Sequence, residues 1–318
     1  MTEPSPAAID VATFGETMAT VRAEGLIRLG GGMRLSVAGA ESNVAIGLAR
    51  LGHRARWTGL VGDDETGELV LRTLRAEGVD VTHARTDPRG PTGLMLVERR
   101  LGELTRVIYH RSGSAASFLG PPDVLPALDP PPRMLHLTGI TPALGPGPAA
   151  AVRAAAELDV PVCLDVNHRS RLWDRERAAN ALRPLAPHLT VAVASEDELD
   201  LLAPAGAATE EERVSALLAA GVAQVVVKRG AAGASAYTSA ETVHRPARPV
   251  RVADVVGAGD AFVAGYLSGL LDGLGLAGRL DRATVTGAFA VATPGDWEGL
   301  PARSELALLD ALPGTTLR

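Results

Sequence analysis

Short apolar runs alternate along this chain with longer segments in which apolar positions recur every three or four residues. The runs predict buried strands and the longer segments predict helices with one apolar face. Their alternation predicts a largely parallel sheet covered by helices. Residues 11–15 read as the first strand. Residues 42–51 read as a helix with Val44, Leu48 and Leu51 on one face and Gly52 just past its end. Residues 57–61 read as a strand. Asp63, Asp64 and Glu65 then place acids at the start of a helix that runs to Glu77 and stops at Gly78. The rhythm continues with strands at 135–137, 160–165, 191–194 and 225–228, and with helices at 148–158, 175–185 (broken by Pro184) and 211–220. Two helices at about 259–272 and 281–292 close the pattern.

Residues 18–37 and 92–111 depart from it, reading as strands with no helix between them. They predict antiparallel excursions from the main sheet, forming a small lid. Within 105–111, alternation puts Val107, Tyr109 and Arg111 on one face. Such a face needs a partner surface, either substrate or a second subunit.

Composition narrows the function classes. Hydrophobic residues make up 46% and charged residues 21%, which fits a globular chain. Aromatics are only 3%, so Ala, Val and Leu must build most of the core. Cys163 is the single cysteine, so no internal disulfide can form, and its apolar setting marks it as a core residue. The net charge of −6 with no basic block argues against nucleic acid. No apolar stretch is long enough to span a membrane, and residues 1–6 lack the features of a signal peptide, so a cytoplasmic protein is expected. An acidic chain that binds an anionic ligand must supply positive charge locally, from arginines, helix N-termini or a divalent metal.

Such a locality stands at 253–265, Ala-Asp-Val-Val-Gly-Ala-Gly-Asp-Ala-Phe-Val-Ala-Gly. Gly257 and Gly259 free the backbone amides of Gly257, Ala258 and Gly259 to approach an anion at a helix start, where the macrodipole favours phosphate. Asp260 beside that phosphate would repel it, but is well placed to take a proton from an incoming hydroxyl. A plain loop with an acidic helix cap reads equally well on these residues alone. Polar residues also follow several predicted strands, as open α/β sheets require of a ligand site: Asp165 to Arg169, Ser195 with Glu196, and Lys228 with Arg229. If extended, Asp165, Asn167 and Arg169 share one face; the rival reading is a turn with a surface arginine. Other motifs fail. The Gly-x-Gly-x-x-Gly at 273–278 follows a helix, so it reads as an interhelical loop, with Asp281 a candidate cap for the next helix. No Gly-Lys dipeptide and no His-Glu-x-x-His occurs, which removes a Walker loop and that zinc signature.

Taken in order, several segments resemble the ribokinase-like (PfkB) family of carbohydrate kinases over nearly the whole chain. They are Gly39-Ala40-Glu41-Ser42-Asn43-Val44-Ala45 with Arg50-Leu51-Gly52, Gly62-Asp63-Asp64 with Gly67, Val226-Val227-Lys228-Arg229-Gly230 with Gly233, and 254–262. Within the family, 109–115, 136–144 and 165–169 with Leu172-Trp173 resemble the 2-keto-3-deoxygluconate kinases. The resemblance implies one domain over 1–318, a three-layer α/β/α core with a mostly parallel sheet and a small β lid that often pairs across a dimer. It implies ATP-dependent phosphorylation of the terminal hydroxyl of a sugar acid, with Mg²⁺. The alternatives are another kinase of the family, acting on fructose, ribose or a nucleoside, and a non-catalytic sugar-binding regulator.

By this resemblance Asp260 is the general base, and the amides of Gly257, Ala258 and Gly259 form the anion hole. Gly39, Asn43, Tyr109, Arg111, Ile140 and Arg169 would line the sugar pocket, with the two arginines matched to a carboxylate. Ser195, Lys228, Gly230, Gly233, Gly287 and Ala288 would line the nucleotide site with Gly257 and Gly259. Asp165 and Asn167 would help hold Mg²⁺ through water. Val255 and Val256 replace the small polar residues usual before Gly257, which leaves open the monovalent cation that the family often binds near this strand.

Overall fold

Successive residues of one strand supply two different cores. Val225 and Val227 pack into one apolar cluster, and Val226 into another on the opposite face. Leu164 and Cys163 divide in the same way. A strand buried on both faces must be apolar at every position, which is why these runs lack polar alternation.

The computed structural model describes residues 8–101 and 104–310. From β1 (Val11–Phe14) the chain enters a hairpin, β2 (Met18–Ala23) and β3 (Met33–Ala38). Helix α1 (Ala40–Arg50) leads to β4 (Ala55–Thr58) and β5 (Leu60–Val61), and α2 (Glu65–Ala76) leads to β6 (Arg85–Thr86). A second hairpin, β7 (Leu94–Leu101) and β8 (Leu104–His110), precedes the short α3 (Pro121–Val124). Next come β9 (Met134–Thr138), α4 (Pro146–Ala156), β10 (Val162–Asp165), α5 (Arg175–Leu182) and β11 (Val191–Ser195). They are followed by α6 (Leu199–Leu202), α7 (Glu210–Ala219) and β12 (Gln224–Lys228). The strands β13 (Ala234–Tyr237) and β14 (Thr242–Arg245), then α8 (Ala258–Leu271) and α9 (Leu276–Val291), complete the succession.

The main sheet has the order β14-β13-β12-β11-β10-β9-β1-β4. Pairing is parallel from β4 to β12 and antiparallel at β13 and β14. Residues from α4, α5, α6 and α7 share the cluster on one face. Residues from α1, α2, α8 and α9 share the cluster on the other. The result is the expected three-layer α/β/α core. The lid is a separate sheet in the order β3-β2-β7-β8. Chain order reverses direction at β1, with β4 on one side and β9 on the other, and open sheets of this kind place ligand sites beyond the carboxyl ends of the strands at such a reversal. Among the described residues, no helix is long and apolar enough to cross a membrane.

Several details differ from the sequence reading. The strand expected at 57–61 is divided between β4 and β5. The β13–β14 hairpin carries no helical or strongly apolar signal, and its exposed edge explains why it escaped the pattern. The lid hairpins are antiparallel within themselves but join through parallel β2 and β7. Helix α9 begins at Leu276, so Gly278 lies in its first turn and only the glycines before it belong to the interhelical loop. Asp281 is interior to α9 and ion-pairs with Arg245 at 2.8 Å instead of capping. Residues 1–6, read for a leader, and 102–103 of the second lid segment lie outside the described residues.

Asp64, one of the acids expected at the start of α2, caps that helix and also places the lid. Its side chain accepts from Gly67 N at 2.8 Å at the start of α2, and from Thr92 N at 2.8 Å just before β7. Burial opposes the charge, but these amides and the Thr66 hydroxyl bring the carboxyl down to about 2.

Leu164 is fully buried at the centre of the sheet. Leu164→Ala is expected to cost about 2–5 kcal/mol of unfolding free energy, read from urea denaturation, because the close-packed sheet cannot collapse into the cavity. A loss under about 1 kcal/mol would show that this region is not the core.

Candidate active site

The start of α8 is built by a glycine that no other residue replaces easily. Gly257 is the N-cap, with φ of +76°, and a Cβ there would lie 2.0 Å from the Asp296 carbonyl oxygen. The turn leaves the following amides at the helix origin, where the first-turn N–H groups have no intrahelical partner. Asp260 sits in this first turn, 8% exposed.

Two amides from distant parts of the chain hold Asp260. Asn43, from α1, donates to Oδ2 at 2.8 Å, and Asn167, just past β10, donates to Oδ1 at 3.4 Å. Burial pushes the carboxyl up to about 6, against the opposing pull of Asn43, Arg169 and Lys228. A carboxylate so tuned is charged at neutral pH and still basic enough to accept a proton. Asn167 has a φ of +41°, so the segment after β10 turns and is not extended. Of the two readings of this segment the turn holds, so Asp165, Asn167 and Arg169 do not share one face. Asp165 instead accepts from Lys228 Nζ at 2.8 and 2.7 Å through its two oxygens. Burial works against the Lys228 ammonium, but Asp165 outweighs it and holds the pKa above the usual lysine value. That ammonium lies near Gly259, where a Cβ would be 3.6 Å from Nζ.

Beside α8 opens a cleft of about 570 Å³, lined by Lys228, Gly230, Gly233, Gly259, Gly287 and Ala288. Val252, Val255, Phe262 and Val291 supply apolar walls. Six of the residues expected at a nucleotide site therefore meet in one cavity, and its apolar walls next to amide donors suit a flat base joined to phosphates. Ser195 is not among its lining; at the end of β11 its hydroxyl donates to Asp197 at 2.7 Å. Gly257 lies behind the cleft as the helix cap.

A second cavity of about 570 Å³ lies between the lid strand β8 and the loop after β10, lined by Val107, Tyr109, Arg111, His168 and Arg169. The face predicted for 105–111 is the face that lines it. Four arginines line it, Arg106, Arg111, Arg169 and Arg171, and the two expected at a sugar pocket are not equivalent. Arg111 forms an ion pair with the buried Glu16 and lies 5.6 Å from the Tyr109 ring centroid. Arg169 bonds only the His168 carbonyl, at 3.3 Å, and has no ion pair among the described residues. Its charge is therefore available to a ligand. Gly39 caps α1 close by; a Cβ there would lie 2.5 Å from the Glu16 carbonyl. Ile140 follows β9, its amide held by Thr138 at 3.1 Å.

Sequence reasoning missed the acids behind this pocket. Glu16 accepts from Ser114 at 2.5 Å, and Glu41 from Thr138 and Thr141 at 2.5 and 2.6 Å. Burial raises the Glu41 pKa. Glu16 could have been found: it directly follows Gly15 at the carboxyl end of the first strand, where ligand sites of such sheets gather. Glu198 was passed over for its neighbours Ser195 and Glu196. It accepts from His168 N at 2.7 Å and Ser195 N at 3.0 Å, binding the loops after β10 and β11 together. Among the described residues no group of three or more acid, histidine or cysteine side chains could hold a metal.

The family model described as pfkB family carbohydrate kinase matches residues 8–303. A 2-dehydro-3-deoxygluconokinase of Bacillus subtilis is 37% identical, with 94% of each chain covered. One from Thermoproteus tenax is 36% identical over 98% of this chain and 97% of its own. Among solved structures, a putative ribokinase II from E. coli in complex with ATP and Mg²⁺ superposes with a TM-score of 0.88 at 26% identity, covering 95% of this chain and 99% of its own.

Asn43 is the nearer of the two amides on Asp260. Asn43→Ala should raise the Asp260 pKa by about one unit, the size of one hydrogen bond to a charged group. Carboxyl ¹³C titration of the ligand-free protein measures it, and an unmoved pKa would remove Asn43 from this role.

Proposed function

This chain belongs to the pfkB family of carbohydrate kinases, and we propose that its acceptor is a sugar acid of the 2-keto-3-deoxygluconate type, phosphorylated on its terminal hydroxyl. The relatives named for that substrate support the class. The observation that carries it is Arg169, which has no ion pair among the described residues, in a cavity lined by the residues that follow Asn167, which itself donates to Asp260. A neutral sugar has no use for a free guanidinium, whereas a carboxylate matches its two-pronged geometry.

In this reading Asp260 takes the proton of the terminal hydroxyl. The hydroxyl oxygen bonds to the γ-phosphorus of ATP as the bond to the bridging oxygen breaks, and the electron pair leaves with ADP. The amides of Gly257, Ala258 and Gly259 face the charge that spreads over the moving phosphoryl group. Lys228, Gly230, Gly233, Gly259, Gly287 and Ala288 line the nucleotide cleft, while Ser195, outside that lining, keeps its place in this reading by the family resemblance alone. Gly39, Asn43, Tyr109, Arg111 and Ile140 complete the sugar pocket, where Arg111 orients more than it attracts because Glu16 neutralises it. Asp165 is committed to Lys228, so it and Asn167 would meet Mg²⁺ through water; when bound, Mg²⁺ shields phosphate charge. We place the contact with a second copy on the lid, where Met33 and Leu35 of β3 are exposed.

Asp260→Asn should lower kcat by about 10³-fold with little change in sugar binding by calorimetry. In the wild-type enzyme, kcat/KM should hold above pH 6 and fall below it, as Asp260 takes up a proton near its pKa of about 6. Comparable turnover in mutant and wild type refutes the assignment.

Arg169→Ala should raise KM for the keto-deoxy acid by about 10²-fold, the loss of a charge-assisted pair, and change KM for a neutral analogue far less. ATP consumption across keto-deoxy acids, fructose, ribose and nucleosides measures both. Equal losses, or turnover only with neutral acceptors, overturn the substrate class.

A further inference from the structure

Arg22 stands on the lid strand β2, yet its guanidinium reaches the phosphate loop. Its Nη1 donates to Asp254 Oδ2 and its Nη2 to Asp296 Oδ2, both at 2.6 Å. All three side chains are largely buried, 15% exposed for Arg22 against 3% and 5% for the acids. Asp254 opens the loop, accepting from Val256 N at 3.1 Å through its other oxygen. Asp296 closes it from behind, with its carbonyl packed against Gly257. The two carboxylates thus flank the turn that aims the Gly257–Gly259 amides, and one cation bridges them.

The clasp extends further along the lid. Glu298 accepts from Asp296 N at 2.9 Å and from the Ser36 hydroxyl at 2.8 Å. Trp297 Nε1 donates to Val37 O at 3.1 Å. Strands β2 and β3 therefore both hold the segment on which Gly257 rests.

Two buried carboxylates facing one another need a cation, or one of them takes up a proton. Burial pushes Asp296 up to about 6, and Arg22 opposes that. The family resemblance raises a monovalent cation near this strand, but the residues here do not fit one: the facing Oδ2 atoms are already engaged by a guanidinium, and a second cation between them would be repelled.

We infer that Arg22 is the resident cation of the phosphate loop, supplied by the lid in place of an exogenous monovalent ion. Its effect on turnover rests on the phosphoryl-transfer reading above; its effect on cation binding does not. Arg22 is a positioning residue. Removing it leaves Asp254 and Asp296 facing a gap that K⁺ or NH₄⁺ can enter.

The test compares wild type, Arg22→Gln and Arg22→Lys in tetramethylammonium chloride, KCl and NH₄Cl at equal ionic strength. Melting temperature and kinase turnover are both read. The wild type should respond alike in the three salts. Arg22→Gln should lose turnover by about 10–100-fold in tetramethylammonium, the expected cost of misplacing oxyanion donors. KCl or NH₄Cl should then restore turnover several-fold and raise its melting temperature, as binding to the folded state requires. Arg22→Lys should stay independent of the salt. A wild type whose melting temperature or turnover rises in KCl overturns the inference, and so does a folded Arg22→Gln that responds to neither ion. If Arg22→Gln does not fold, the wild-type and Arg22→Lys salt responses decide. If no acceptor is phosphorylated but the melting temperatures shift as expected, the functional reading falls and the cation assignment stands.

Discussion

A carboxylate buried at a helix origin must be matched by donors, and in this protein the donors for Asp260 come from elements far apart in the chain. Asn43 belongs to α1 and Asn167 to the turn after β10, with α8 itself supplying the acid. Three elements therefore converge on one side chain, and the sheet between them fixes how closely they can approach. The same convergence sets the chemistry. Burial alone would hold the acid neutral at neutral pH, while full pairing would hold it too weak as a base. Amide donors, with Arg169 and Lys228 nearby, leave it between those limits.

The charges around this centre are mostly spoken for, and that sharpens the reading of the remainder. Lys228 is tied to Asp165, Arg111 to Glu16, and Arg229 to Glu196 and Glu210. A buried ion pair contributes little attraction for a third charge at a distance, because its partners screen each other. Arg169, like Arg171 in the same lining, has no acidic partner among the described residues, and this gives the second cavity an electrostatic preference. Proximity in sequence to a strand end does not reveal it. Arg111 and Arg169 look equivalent as residues and diverge only once Glu16 is seen beneath one of them.

This contrast shows which properties were legible in the chain. The layers were, because alternate strand residues entering opposite cores leave an unbroken apolar run, and Val225, Val226 and Val227 are such a run. The start of α8 was also legible, since a left-handed N-cap against a carbonyl leaves glycine as the natural choice at 257. What escaped depends on pairing across long separations. Arg22 and Asp254 are separated by 232 positions and Arg22 and Asp296 by 274, and nothing local marks them as partners. The turn at Asn167 stood only as one of two readings, because asparagine tolerates positive φ without requiring it. The beginning of α9 escaped because Gly278 argues locally against a helix that its packing on α8 imposes.

The long-range pairs also bear on how lid and core act together. A lid joined to a core only by its hairpin ends can move without consequence for the chemistry beneath it. Here β2 and β3 grip the segment from Asp296 to Glu298, and that segment supports Gly257. Strand β8 of the same sheet carries Tyr109 and Arg111 into the second cavity. Displacing the lid would therefore disturb two things at once, the second cavity through β8 and the Gly257 turn through Arg22. Because a packed sheet shifts as a unit and not residue by residue, occupancy of the cavity under β8 and alignment of the amides at Gly257 are linked through four strands. The second cavity and the Gly257 turn thus rest on one shared support, the lid sheet.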